Sequence, residues 1–156
     1  HESPRRGDTF VRIKISSAVA IIKNLNQAKL SLGYLDAKRD WGHAKDYVEM
    51  QWRLLQQRKP DDFVIATGEA YSVKQFIDTA SKILNFKVIW SGKGLKEQGY
   101  LVKNNKKELI IKIDKKYFRP NEVDLLLSDP SKAKNELGWK PEYDTLDKLI
   151  DSMLND

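Results

Sequence analysis

The chain has 156 residues, 40% of them hydrophobic and 10% aromatic, which suits one domain or half of a larger one and suffices for a core. It contains no cysteine and only two histidines, so disulfides, thiolate metal sites, a cysteine nucleophile and a histidine-rich metal centre are excluded. The 28 lysines and arginines outnumber the 22 aspartates and glutamates, and the net charge of +6 favours nucleic acid, phosphorylated small molecules or acidic membranes as partners.

The chain opens on a polar, turn-forming stretch, residues 1–7, without an initiator methionine or the apolar segment of a signal peptide. We therefore expect the chain to be a fragment whose missing part lies upstream. No apolar run approaches the roughly 20 residues of a membrane-spanning helix, so we expect no membrane partner and a cytoplasmic location.

The first half of the chain alternates between helical and extended patterns. Apolar residues at helical spacing predict a helix over 13–25 and a long amphipathic helix over 43–57, which Pro60 ends. Residues 30–35 alternate as in a strand. The segment 38–42 is predicted to be a loop because Gly42 at its end breaks regular structure.

The middle of the chain begins with a nearly continuous apolar run over 63–67. Between two helices, such a run is typical of a buried parallel strand. Ser72 is a good N-cap for the next helix, 73–84, and Gln75 occupies the capping-box position. A further strand is predicted over 87–90.

The last third contains three helix-ending or helix-starting signals. Asp129 is predicted as an N-cap with Pro130 at the first helical position, and Gly138 as the C-terminal cap. The remaining predicted elements are a hairpin of 100–102 with 108–113 and a strand over 124–128. Two helices are predicted as well, one from Pro130 through Glu136 and one over 145–154. This alternation of helices and short strands predicts an α/β fold.

Several arginines lie in predicted loops: Arg5, Arg6, Arg39 and Arg119. A planar guanidinium binds phosphate oxygens bidentately, and neighbouring proline or glycine residues fix the backbone that presents it, so these loops could clamp a diphosphate. The alternative is that each arginine makes a surface salt bridge, Arg39 with Asp40 or Arg119 with Glu122.

Other polar residues carry weaker signals. His43 can act as an acid or base by type, but at a helix start it is expected to be structural. Glu69 and Tyr71 belong either to a ligand-contacting loop at a strand's carboxyl end or to an ordinary connection. The lysine-rich segment over 91–116 is interpreted as a solvated hairpin. Since no glycine fingerprint for phosphate, nucleophile elbow, Walker loop or metal-binding spacing occurs, the residues alone indicate an anion-binding α/β fragment without catalytic machinery.

Taken in order, these loops resemble one family. The matching segments are residues 1–11, 32–48, 63–69, 72–73, 117–126, 129–134 and 137–141. They are similar to the GDP-mannose 4,6-dehydratase family of extended short-chain dehydrogenases/reductases. The ending Leu137-Gly138-Trp139-x-Pro141 identifies only the superfamily, whereas the segments 1–7 and 39–47 are particular to this family.

The resemblance implies the C-terminal part of an NAD(P)-binding Rossmann-type enzyme, including its small α/β substrate-binding domain. Residues 1–156 would form this C-terminal half, with about 43–84 completing the Rossmann sheet and the N-terminal cofactor-binding half absent. The complete enzyme would be a homo-oligomer, a dimer or a tetramer. Bound NADP would oxidise C4 of GDP-mannose, water would leave from C6, and the hydride would return there. The product, GDP-4-dehydro-6-deoxymannose, is a precursor of GDP-fucose and GDP-rhamnose.

The resemblance also assigns residues. The family's catalytic Thr, Glu, Tyr and Lys lie upstream of His1, so no catalytic residue is assigned and the chain alone is expected to be inactive. The cofactor contacts are His1 and Arg6, with Arg5 as a further cofactor or subunit contact. The residues assigned to GDP-mannose are Lys14, Arg39, Arg119 and Glu122, the arginines at the diphosphate and the glutamate towards the nucleoside. At Ile13 the chain departs from the arginine common in the family.

Two alternative functions compete with this one. Within the same superfamily, an epimerase or dehydratase acting on another nucleotide sugar would share most of the pattern. A non-catalytic nucleic-acid-binding domain would explain the sequence pI of about 9.4 and the lysines. Because no nucleic-acid-binding motif is present, no nucleic acid is expected as a partner.

Overall fold

The computed structural model describes residues 2–3, 15, 29–103, 106–119 and 121–155. Its helices are α1 (Ala44–Leu55), α2 (Val73–Ile83), α3 (Ser131–Leu137) and α4 (Leu146–Leu154), with a 3-10 turn at Gly94–Lys96. Its strands are β1 (Leu30–Leu32), β2 (Lys38–Asp40), β3 (Ala70–Ser72), β4 (Val88–Ser91), β5 (Gln98–Lys103), β6 (Lys106–Ile113) and β7 (Leu125–Leu126). The predicted α/β class is confirmed. Apart from Ile15, the helix predicted over 13–25 lies outside the described residues.

A four-stranded sheet has the order β1-β6-β5-β4. The predicted hairpin of β5 and β6 is antiparallel, β4 pairs antiparallel with β5, and β1 joins β6 in parallel with Leu30 opposite Ile111. Helices α2 and α4 contribute fully buried side chains to the core that contains these strands, among them Phe76, Ile77 and Ile150.

The starts and ends of the helices largely follow the predictions. Ser72 caps α2 through a complete capping box with Gln75, because the side chain of each residue accepts the backbone N–H of the other. Gly138 ends α3 at a φ of 59°, in the left-handed region that favours glycine. The start of α3 is shifted by one residue: Pro130 is the cap residue, and the Asp129 carboxylate accepts hydrogen bonds from both the N–H and the hydroxyl of Ser131.

The lysine-rich segment is a hairpin, as predicted. Its described lysine side chains are exposed: Lys93, Lys96, Lys106, Lys107, Lys112, Lys115 and Lys116. Among the described helices, none combines the length and apolar character that crossing a membrane requires.

A second, three-stranded sheet has the order β3-β2-β7 and corrects one prediction. Lys38–Asp40, predicted as a loop, is the central strand, antiparallel to β3 and parallel to β7. Three consecutive charged or polar residues carry no apolar alternation, so the strand depends on hydrogen bonds to distant segments. One of these runs from the Lys38 N–H to the Asp124 carbonyl at 2.7 Å.

The prediction of a buried strand over 63–67 is wrong in this structure. The segment pairs with no strand among the described residues, and an extended segment becomes a strand only through such pairing. Phe63 and Ile65 instead pack against a small second core formed by Met50, Ala133 and Trp139, which joins α1 to α3.

Candidate functional site

Two loop segments that follow β1 and β6 are in direct contact. The Asp114 N–H donates to the Leu32 carbonyl at 2.8 Å. At Gly33 a Cβ would lie 2.2 Å from the Tyr117 carbonyl oxygen. The two segments are therefore so close that only glycine fits at this position. The segment that leads from β6 to β7 is thereby held beside the end of β1.

Strand β2 binds the far end of the same segment through Arg39. The Arg39 guanidinium forms an ion pair with Glu122 through Nη2, and Nη1 donates to the carbonyls of Lys38 and Val123, each at 2.7 Å. Both side chains of the ion pair are about a quarter exposed, at 22% and 26%. These contacts use three of the five N–H donors of the guanidinium, which leaves the Nε–H and one Nη2–H.

The salt bridges considered from the sequence, Arg39 with Asp40 and Arg119 with Glu122, are both wrong. Successive side chains of a strand point to opposite faces, which separates Arg39 from Asp40. The Asp40 carboxylate accepts from the Thr67 N–H (2.9 Å) and hydroxyl (2.7 Å) and from the Gly68 N–H (2.8 Å). Asp40 thus holds the turn after residues 63–67, while Arg39 holds the loop before β7.

Arg119 lies in the loop between these contacts. Its side chain is exposed and has no side-chain partner among the described residues, while its carbonyl accepts the Glu122 N–H at 3.3 Å. The structure therefore brings Arg39, Arg119 and Glu122 into one loop region. An exposed arginine without a side-chain partner among the described residues can bind an anionic oxygen group.

Two aromatic side chains in the same region were not singled out from the sequence. The rings of Tyr34 and Phe118 meet edge to face, with centroids 6.1 Å apart and an interplanar angle of 83°. Burial and the neighbouring Asp124 carboxylate raise the pKa of Tyr34, burial being the larger cause. The only sequence signal was position: one ring follows Gly33 and the other precedes Arg119.

His43 has a structural role, as expected. It is the N-cap of α1: its Nδ1 accepts the Lys45 N–H at 3.1 Å, and its ring stacks on Tyr143 with centroids 4.0 Å apart. Tyr71 lies in β3 opposite Arg39, and burial raises its pKa.

The remaining assigned residues cannot be placed. His1, Arg5, Arg6 and Lys14 lie outside the described residues. In the part of the chain that the structure describes, no group of three or more His, Asp or Glu side chains is arranged to hold a metal ion.

Comparison with known proteins identifies relatives along the whole chain. The model of a family described as GDP-mannose 4,6 dehydratase matches residues 1–153. A GDP-mannose 4,6-dehydratase from Vibrio cholerae is 47% identical over 164 residues, covering 100% of this chain and 44% of the relative. A GDP-mannose 4,6 dehydratase from Dictyostelium discoideum is 54% identical over 140 residues, covering 90% of this chain and 39% of the relative. The chain thus spans about two fifths of the length of the curated relatives it matches.

The fold is similar to that of a solved structure, RMD from Pseudomonas aeruginosa complexed with NADPH. The TM-score is 0.74 at 21% identity, over 98% of this chain and 44% of that chain. At this identity the likeness concerns the fold alone, and it confirms the predicted fold class.

Proposed function

Because the chain belongs to the GDP-mannose 4,6-dehydratase family, we propose that the protein to which it contributes is a lyase that converts GDP-mannose into GDP-4-dehydro-6-deoxymannose and water. In this proposal the described loops supply the site for the nucleotide sugar. The catalytic groups belong to the part of the protein outside these 156 residues.

One observation carries the assignment of the site: Arg39 of β2 forms an ion pair with Glu122, and the Glu122 N–H donates to the carbonyl of Arg119 in the same distant loop. GDP-mannose presents a diphosphate with two negative charges, and arginine guanidinium groups bind such oxygens through charge-assisted hydrogen bonds. No side chain in the described part of the chain binds the Arg119 guanidinium. Arg39 adds its remaining donors while it holds Glu122 in place.

The cofactor would be a nicotinamide nucleotide, and we propose NADP. The structure of RMD from Pseudomonas aeruginosa, which shares the fold, was obtained with NADPH. When bound, such a cofactor supplies the hydride acceptor for oxidation at C4 and the donor for reduction at C6. The contacts assigned to it here, His1, Arg5 and Arg6, lie outside the described residues, so they remain proposals. A cytoplasmic location, a homo-oligomeric complete enzyme and a role in supplying GDP-fucose are proposed with it.

The domain organisation is also a proposal, and a surface of α1 supports it. Three apolar side chains at helical spacing, Val48, Trp52 and Leu55, are 61%, 62% and 82% exposed. The segment 63–67, which pairs with no strand among the described residues, follows this helix. More than half of each relative's length lies outside the match. We propose that the cofactor-binding half covers this surface and pairs with 63–67, so that about 43–84 completes the Rossmann sheet.

Replacing Arg119 in the complete enzyme tests the function. Charge-assisted hydrogen bonds contribute roughly 1.5–3 kcal/mol each, so Arg119→Ala should weaken GDP-mannose binding by about one to two orders of magnitude. Arg119→Lys should recover only part of the loss, because an ammonium cannot reproduce the planar fork. Calorimetric titration with GDP-mannose and with NADP measures both affinities, and the affinity for NADP should not change.

Lys107→Ala is the matched control, since Lys107 is an exposed cation in the β5–β6 hairpin. It removes the same charge away from the site and should leave GDP-mannose binding unchanged. If Arg119→Ala binds GDP-mannose as tightly as the parent, Arg119 is not part of the diphosphate site. Tighter binding of a UDP-sugar or dTDP-sugar than of GDP-mannose by the parent would favour a different nucleotide-sugar enzyme.

A further inference from the structure

We infer that Tyr34 and Phe118 form the surface against which the nucleotide's base stacks. This inference rests on the proposed function and assigns the base to a specific part of the same site. It concerns two residues that neither the motifs nor the charges of the sequence had pointed to.

The two rings are placed by the backbone around them. The approach of Gly33 to the Tyr117 carbonyl and the hydrogen bond from Asp114 to Leu32 are backbone contacts between the two loops, separate from the contact of the rings. Both rings are nevertheless only partly buried. Aromatic surface that is fixed in position and partly open to solvent is suited to binding a flat partner.

The geometry of the pair leaves room for such a partner. In an edge-to-face arrangement the edge of one ring meets a face of the other, so the ring that presents its edge keeps both of its own faces clear of its partner. A nucleobase gains from stacking on an aromatic face whatever its hydrogen-bonding pattern. The rings therefore supply what the arginines cannot, namely an apolar flat contact.

The position of the pair relative to the charges fits a nucleoside diphosphate. Phe118 immediately precedes Arg119, so the ring and the guanidinium come from adjacent residues. The Asp124 carboxylate lies beside the Tyr34 hydroxyl. The Asp124 carbonyl accepts the N–H of Lys38, the residue before Arg39 in β2. Carboxylates accept hydrogen bonds, and guanine carries N–H donors on its base edge. A guanine base on the aromatic pair would thus have its diphosphate near the arginines.

Titration of the complete enzyme with GDP and with inorganic pyrophosphate separates the base contact from the phosphate contact. Stacking on one aromatic side chain contributes roughly 1–3 kcal/mol, so Tyr34→Leu should weaken GDP binding by about 5- to 150-fold. Pyrophosphate has no base, and its affinity should stay within about twofold of the parent's. Tyr34→Phe keeps the ring and should bind GDP as the parent does.

Tyr100→Leu is the control variant, because Tyr100 lies in β5 and its hydroxyl donates to Gln98 Oε1 at 2.6 Å. It should change neither affinity. Saturation-transfer NMR on the parent, which needs no variant, should show magnetisation passing from aromatic side-chain protons to the guanine H8.

Equal losses of GDP and pyrophosphate affinity in Tyr34→Leu would mean that Tyr34 only supports the loop, and the stacking assignment would be overturned. Unchanged GDP affinity, or no transfer to H8, would overturn it as well. In these cases Arg119→Ala would still weaken GDP-mannose binding and the proposed function would stand. A parent enzyme that binds neither GDP nor GDP-mannose would instead refute both.

Discussion

Helices α1 and α2 are similar in length, 12 and 11 residues, but they differ in how their apolar side chains are covered. In α2, Phe76 and Ile77 are fully buried by the sheet and by α4. In α1, Met50 is fully buried on one side, while Trp52 and Leu55 remain 62% and 82% exposed on another. A helix that is apolar on more than one side is typical of a buried position between two layers. For α1, the described residues form only one of these layers. For α2, they form the whole core in which its apolar side chains are buried.

The largest expected effect is at the covered helix. Phe76 has no exposed surface and packs edge to face on Trp41, with centroids 4.9 Å apart. Phe76→Ala leaves a cavity and should lower the free energy of unfolding by about 3–5 kcal/mol. Urea unfolding followed by circular dichroism measures this loss. A loss below about 1 kcal/mol would show that the core around α2 is loosely packed.

The next effect depends on what covers α1. In residues 1–156 expressed alone, Leu55→Ala should change the free energy of unfolding by less than about 0.5 kcal/mol, because the side chain is exposed there. In the complete protein, the same substitution should cost about 2 kcal/mol or more if the cofactor-binding half packs on it.

Lys107→Ala, at an exposed position of the hairpin, is the control in both backgrounds. It should have little effect in either. The same small effect of Leu55→Ala in both backgrounds would mean that this surface stays open in the complete protein, and the proposed packing of the two halves would be wrong.

The smallest effect concerns an exposed ion pair that ties α1 to the segment before α4. Lys45 Nζ lies 2.8 Å from Glu142 Oε2, and the hydrogen bond from Lys45 lowers the pKa of Glu142 below its ordinary value of 4.5. The stabilisation is therefore present above pH 4.5 and is lost as the pH falls through the lowered pKa. Glu142→Gln should slightly reduce the dependence of the thermal unfolding midpoint on pH between pH 3 and 6. An unchanged dependence would show that other carboxylates cause the loss of stability in acid.

Local signals predicted the elements that depend on neighbouring residues. The capping box of Ser72 and Gln75, the glycine at the end of α3 and the β5–β6 hairpin each require only a short stretch of chain. The errors fall where pairing is distant. Lys38–Asp40 becomes a strand through β3 and β7, and residues 63–67 lack a strand beside them among the described residues.

The site shows the same division. The chemistry of loop arginines pointed to anion binding, but the carboxylate partner of Arg39 lies 83 positions along the chain and no spacing rule selects it. The choice of Glu122 and Lys14 came from the family resemblance. Tyr34 and Phe118 were missed because an aromatic residue beside a glycine or an arginine is a common pattern, and only the contact between the loops distinguishes this pair.

The pairing of β1 with β6 sets an order for folding during synthesis. Leu30 leaves the ribosome well before its partner Ile111, and the core that includes both also requires Ile150 of the last helix. The N-terminal residues of a domain leave the ribosome first, and contacts between residues far apart in the sequence form late. A nascent chain that has not yet reached α4 therefore holds Leu30 and Phe76 without the helix that covers them, and during that interval these side chains are open to chaperones or to other unfinished chains.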